Sequence, residues 1–286
     1  MSTEPLHATC WTIAGDAAPD RTDRRSPIPL RERVEAASAA GFASLGLLME
    51  DLREATDRYG VAGVRSLLDD NGVELREVEL LTDWWTEGAV RRVSDQARYD
   101  MLAAAETFGI HHIKIGPDVA NGAWQLDEWA AEFATLAEEA DGVGARLAIE
   151  FLPWANVRTL HDGLRLVETA GHPAGGLIID AWHIERGRTT PADLGQIPLD
   201  RIVGVELNDA RAEQVGSMFE DTVHRRLLCG HGDFDLHGLV AALRQAGWRG
   251  PWGVEILSDE HRQLDVMQAA RVAARSTHDL LGTTGH

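Results

Sequence analysis

Basic residues are scarce in this chain. Lys and Arg number 27 against 46 Asp and Glu, a formal net charge of −19 over 286 residues. A surface with that balance repels phosphate backbones and anionic lipid headgroups, so neither nucleic acid nor a membrane is an expected partner. Most of these acids serve solubility, and only those embedded in apolar segments call for another explanation. Cysteine is almost absent. Cys10 and Cys229 lack metal-site spacing and read as free thiols in a reducing compartment. No apolar run reaches the ~18 residues of a membrane helix. The opening MSTEPLHATCWT has no basic stretch leading into an apolar one, so no signal peptide and a cytoplasmic location are expected. A glycine-rich phosphate loop is also missing after the first β-rich segment, which disfavours a doubly wound nucleotide-binding sheet.

What is present alternates. Short β-rich runs start at His7 (HATCWTI), Phe42 (FASLGLL), Val73 (VELREVEL), Ile110 (IHHIKIG), Ala145 (ARLAIEFL), Gly176 (GLIIDAWH), Ile202 (IVGVELND) and Trp252 (WGVEIL). Between them lie helical patterns, among them 31–41, 87–108, 126–142, 160–171, 234–247 and 265–281. The pieces AAGF, DNGV and QAGW read as helix stops running straight into strands. Eight strands alternating with helices predict a parallel sheet, and eight close a barrel. The expected architecture is α/β, a single (β/α)8 TIM barrel spanning 1–286. Two stretches, 14–29 and 209–233, exceed the minimal repeat and read as long βα loops on the face where barrels build active sites.

Four of the strands end in a carboxylate with apolar neighbours: Glu150 in LAIEFLPW, Asp180 in LIIDAWH, Glu206 in VGVELND and Glu255 in WGVEIL. A lone buried acid is commonly paired with an arginine. Four at the same end of four neighbouring strands converge on one point if the register holds, and a one-residue slip would scatter them. Such an oxygen-rich cluster suits a hard divalent ion, Mg2+ or Mn2+. Asn208, two residues beyond Glu206 on the same face, is the alternative third ligand. His183, on the turn after Asp180, is placed to donate to a substrate oxygen or to bind metal. On the fourth strand, alternation sends either His112 and Lys114 or His111 and Ile113 inward, and an inward Lys114 would polarise a carbonyl. Glu79 is a weaker candidate of the same kind. Arg225, Arg226 and His231 in HRRLLCGHGDFD would lie over the pocket mouth, suited to hydroxyls or a carboxylate, with pairing to Glu220 or Asp221 as the structural alternative. Trp11, Trp84, Trp85 and Trp154 fall at strand ends, where aromatic faces suit sugar C–H surfaces.

The pieces IEFLPW, IIDAWHIERG, VGVELNDA, HRRLLCGHGDFD and GPWGVEIL together resemble the xylose isomerase-like TIM barrels, the sugar phosphate isomerase/epimerase superfamily. The resemblance covers nearly the whole chain and is most specific from Ala145 to Leu257. It implies that Glu150, Asp180, Glu206 and Glu255 ligate one divalent ion, that Glu150 and Glu255 also transfer protons, and that His183 and Arg226 correspond to substrate-binding positions. Glu206 stands where the family more often has His or Gln, and Cys229 and His231 where Pro and Glu are usual. The expected function is therefore a metal-dependent isomerase or epimerase of a sugar, keto-sugar or related polyol, working through an enediolate. The expected ligands are Mn2+ or Mg2+ and a small carbohydrate or polyol, with Lys114, Trp154 and His231 as further substrate contacts. A lyase, dehydratase or keto-glycoside-cleaving, is the alternative on the same fold, with His183 or His231 protonating the leaving group. A non-catalytic sugar-binding barrel is the third reading. Pairing of two copies through the outer helices is left open.

Overall fold

Glycine marks where helices hand over to strands. At Gly72 and Gly247 the backbone takes the left-handed conformation, φ 62° and 102°, that a side chain would resist, and the chain turns there out of a helix. In the computed structural model, which describes residues 4–283, the first half runs β1 (Leu6–Ala8), α1 (Leu30–Ala40), β2 (Phe42–Leu48), α2 (Met49–Asn71), β3 (Glu74–Leu81), α3 (Gly88–Phe108), β4 (His112–Ile115) and α4 (Leu126–Gly142). The second half runs β5 (Arg146–Glu150), α5 (Leu160–Ala170), β6 (Gly175–Asp180), α6 (Ala181–Arg186), α7 (Pro191–Leu194), β7 (Ile202–Leu207), α8 (Met218–His224), α9 (Leu236–Ala246), β8 (Trp252–Val254) and α10 (Val266–Thr283). All neighbouring strands pair in parallel, and β8 closes on β1. The chain is a single (β/α)8 barrel, as its alternation predicts; of the span 1–286 expected for it, residues 1–3 and 284–286 lie outside the described residues.

Strand parity divides the protein into two interiors. Leu45, Leu47, Val78, Ile113, Ile115, Leu147 and Ile149 point to the helices and join one large apolar cluster with them. The alternate residues face the barrel axis, and there the lining is polar. His7 Nδ1 lies 3.0 Å from Ser44 Oγ, and His112 Nε2 lies 2.8 Å from Glu77 Oε2. Ala148, Ile178 and Val203 form a small apolar layer of their own, on the same strand faces as Glu150 and Asp180. The strand ends above that layer are where the polar chemistry gathers.

Two expected boundaries shift for local reasons. The segment HATCWTI is strand only as far as Ala8. Beyond it the chain turns so that the Thr12 hydroxyl donates to Val254 O (2.6 Å) and accepts from Ile256 N (3.1 Å), clamping the backbone around Glu255. The long loop 209–233 contains α8, started by a capping box in which Ser217 and Glu220 bond reciprocally. Among the described residues, no helix is long and apolar enough to cross a membrane.

The seam between β7 and β8 depends on a missing side chain. A Cβ on Gly253 would run into the Val205 carbonyl oxygen and come within 3.3 Å of Glu206 Cγ. Gly253→Ala is therefore expected to lower stability by about 1–3 kcal/mol through overpacking, read as a lower urea midpoint at unchanged slope.

Candidate active site

Register brings the four strand-end acids together. Asp180 pairs across the ladder with Glu206, Glu206 with Gly253, and Glu150 with Ile178, two residues short of Asp180. Glu255 follows Val254, which opposes Leu207. One oxygen from each of Glu150, Asp180, Glu206 and Glu255 lies within 4.8 Å of the others, and all four residues are buried. The convergence expected from the sequence is present. His183 forms a second such group with Glu150 and Asp180.

Each acid is held differently. Asp180 caps α6: its Oδ1 accepts from the backbone N–H groups of Trp182 (2.7 Å) and His183 (3.1 Å). Its Oδ2 accepts from Asn208 Nδ2 (3.1 Å) and Arg226 Nη1 (2.7 Å). Burial works against its charge, but the Arg226 and His183 contacts prevail and hold the carboxyl down at about 2. His183 stands in the first turn of α6 rather than in a turn, with Nε2 3.1 Å from Glu150 Oε1 and Nδ1 buried without a partner. Burial disfavours a charged Glu150 as well, and there the charge of Lys114 and the His183 bond more than offset it, so its carboxyl is lowered. Arg226 Nη1 also donates to Glu255 Oε2 (2.8 Å), while Nε and Nη2 donate to Thr222 Oγ1 on α8. The guanidinium thus ties α8 and the long β7–α9 connection to the ends of β6 and β8.

Beneath this ring sits Lys114. Alternation on β4 sends it and His112 inward, resolving the choice that the sequence left open. Its Nζ is 2.6 Å from Glu206 Oε1, 3.1 Å from Glu79 Oε2 and 3.4 Å from Glu255 Oε1, and these anions hold the amine firmly protonated despite burial. The contact with Glu206 is one of charge without hydrogen-bond alignment, and neither Glu206 oxygen has a hydrogen-bond partner. Burial and then the Glu255 charge push the Glu206 carboxyl well up. Burial likewise lifts Glu79, to about 8, with help from Glu77 and Glu255 against Lys114. An oxygen-rich ring with more negative charge than Lys114 and Arg226 offset, and with orphaned buried carboxylate oxygens, fits a further cation. Glu150, Asp180, Glu206 and Glu255 are the residues that would hold it.

The ring opens into a cleft of about 140 Å3 at the C-terminal ends of the strands. Trp11, Trp154 and Phe219 give it apolar walls, and Glu79, Glu150, His183, Arg226 and Glu255 its polar floor. Other sequence candidates lie elsewhere. Lys114 is fully buried under the floor, and His231 is exposed and does not line the cleft. Arg225 is exposed as well, and Asp221 pairs with Arg186 rather than with either loop arginine. Trp84 and Trp85 turn away from the cleft into an aromatic cluster, Trp85 stacking on Trp129 at 4.8 Å and Trp84 donating to Gly116 O. Thr12, Thr222 and Glu77 carry parts of the site that the sequence reading did not single out.

The family described as xylose isomerase-like TIM barrel matches residues 34–276. The chain belongs to this family. It is 29% identical over 258 residues to a 3-dehydroshikimate dehydratase of Pseudomonas putida, covering 86% of this chain and 39% of that protein. It is 26% identical over 148 residues to an inosose isomerase of Halalkalibacterium halodurans, covering 51% of each. The chain thus spans about two fifths of the length of the dehydratase it matches. Among solved xylose isomerase-like structures, the IOLI protein with a bound zinc atom superposes with a TM-score of 0.84 at 17% identity, covering 96% of this chain and 98% of that one, a likeness of fold.

Proposed function

We propose that this chain is a divalent-metal-dependent enzyme that removes a proton next to the carbonyl of a hydroxylated cyclic ketone and expels a neighbouring hydroxyl as water. The observation that carries the reading is the convergence of Glu150, Asp180, Glu206 and Glu255, of which Glu150 and Glu255 line a cleft that also contains His183. A bound Mn2+ or Mg2+ would polarise the carbonyl and an adjacent hydroxyl of the substrate. Glu255 takes the proton: it lies on the cleft floor, and burial raises its carboxyl despite Lys114 and Arg226, which favours a base. The electron pair of the broken C–H bond becomes the new C=C bond as the C–O bond breaks. The departing hydroxyl takes a proton from His183, whose orientation is fixed by the Asp180 cap below and Glu150 beside it. Arg226 holds Asp180 and Glu255 in place, and Trp11, Trp154 and Phe219 exclude water from the ring face of the substrate.

Similarity to 3-dehydroshikimate dehydratases supports elimination, and the buried His183 provides the acid that the exposed His231 does not. Isomerisation or epimerisation is the second reading, supported by the inosose isomerases and by the two carboxylates, Glu150 and Glu255, that line the cleft. Both begin with the same proton transfer, and both names denote hydroxylated six-membered cyclic ketones. The deciding experiment is proton NMR in D2O with Mn2+- or Mg2+-loaded protein, offering 3-dehydroshikimate, inososes and ketohexoses. Loss of water with formation of a new double bond is the expected outcome. Deuterium incorporation with retention of all hydroxyls would favour the isomerase, and no change in any compound would end both readings.

A further inference from the structure

We propose that Lys114 is a built-in counter-ion to Glu206, and that the Lys114–Glu206 pair fills the third position of the divalent-ion site as a single, electrically neutral donor. The inference rests on the metal-dependent reading above. Three observations lead to it. The ammonium and the carboxylate meet at 2.6 Å with side chains 0% and 2% exposed, so neither has water to exchange for the other. The 2.6 Å contact is made to Glu206 Oε1; Oε2 is buried without any hydrogen-bond partner, which leaves it for an ion. The other cation of the ring is already engaged, since one Arg226 nitrogen serves both Asp180 and Glu255 and the others bind Thr222.

Geometry also excludes the simpler role for Lys114. It is fully buried and does not line the cleft, so it does not touch substrate; it is a positioning residue acting through Glu206. Its ammonium is also held by Glu79 at 3.1 Å and by Glu77 at 3.9 Å. A ring of four carboxylates would hold a divalent ion with two surplus negative charges. Lys114 and Arg226 remove that surplus, and Lys114 does so at the one carboxylate that has no other protein donor.

The test is a double-mutant cycle read by titration calorimetry with Mn2+ alone, so that no turnover is needed. Lys114→Met removes a positive charge beside the ion, so Mn2+ should bind at least about tenfold tighter while the metal-free protein melts lower. Glu206→Gln leaves the ammonium unpaired beside the ion, and affinity should fall at least about tenfold. The double variant, with a neutral amide and no ammonium, should return to within about threefold of the wild type. If Lys114→Met leaves Mn2+ affinity unchanged, or if the losses of melting temperature in the two single variants simply add in the metal-free double variant, the two act independently and the pairing is wrong. If Lys114→Met does not fold, the single Glu206→Gln and the double variant suffice, because an independent ligand predicts no recovery in the double. A wild type that binds no Mn2+ removes the functional reading itself, whereas Mn2+ binding combined with either of those outcomes removes only this inference.

Discussion

Glu255→Gln is expected to lower kcat by about 10²- to 10⁴-fold on whichever cyclic ketone is turned over, the loss typical of a missing general base. The substitution nearly preserves shape. Glu255 keeps its backbone bond to Leu207 O and the flanking clamp of Thr12 on Val254 and Ile256, and a Gln carbonyl still accepts from Arg226 Nη1. What disappears is the anion that receives a proton. If Glu255 is the base, exchange of the substrate proton with D2O should fall as far as product formation, because proton removal precedes both elimination and isomerisation. A variant that still exchanges deuterium at the wild-type rate would transfer that role to Glu150, the other carboxylate of the cleft. Saturating Mn2+ in both assays separates a lost base from a weakened ligand, since Glu255 is placed to be both.

How much of this was legible in the sequence depended on whether a feature is periodic or relational. The acids were legible because an Asp or Glu inside LIID or VGVE is out of place chemically, and the strand period of two then puts it on one face. The same period could not choose between His112–Lys114 and His111–Ile113, since either parity fits IHHIKIG; Glu77 on the neighbouring strand, 2.8 Å from His112, decides it in the folded barrel. Trp84 and Trp85 show the opposite failure. A strand-end position does not fix the direction of a side chain, and Trp129 and Phe133 of α4 draw these rings into an aromatic cluster away from the cleft. His231 was assigned by its place in a loop motif, and that loop turns it to solvent while Arg226, five residues earlier, is drawn fully inside. Helix α8 carried a readable signal in Ser217 and Glu220, three residues apart. Thr12, which reaches the end of β8 from the other end of the chain, carried none.

Arg226→Met should destabilise the metal-free protein by about 3–5 kcal/mol, the cost of removing one partner from a buried ion pair. Asp180 Oδ2 and Glu255 Oε2 lie 2.7 and 2.8 Å from the same guanidinium nitrogen, and without it these two buried carboxylates face each other with no cation between them. A divalent ion supplies the missing charge at the same place, so the variant should bind it more tightly than the wild type and recover stability with it. At about a thousand times its dissociation constant an ion stabilises by about 4 kcal/mol, enough to mask most of the substitution. Urea denaturation of both proteins with chelator and with saturating Mn2+ measures the two differences. Part of the loss should persist with metal, because the bonds from Nε and Nη2 to Thr222 also anchor α8 over the cleft and no ion replaces them. Equal losses in the two conditions would mean that Arg226 acts only as a strut for the loop and that the carboxylates it bridges do not share an ion.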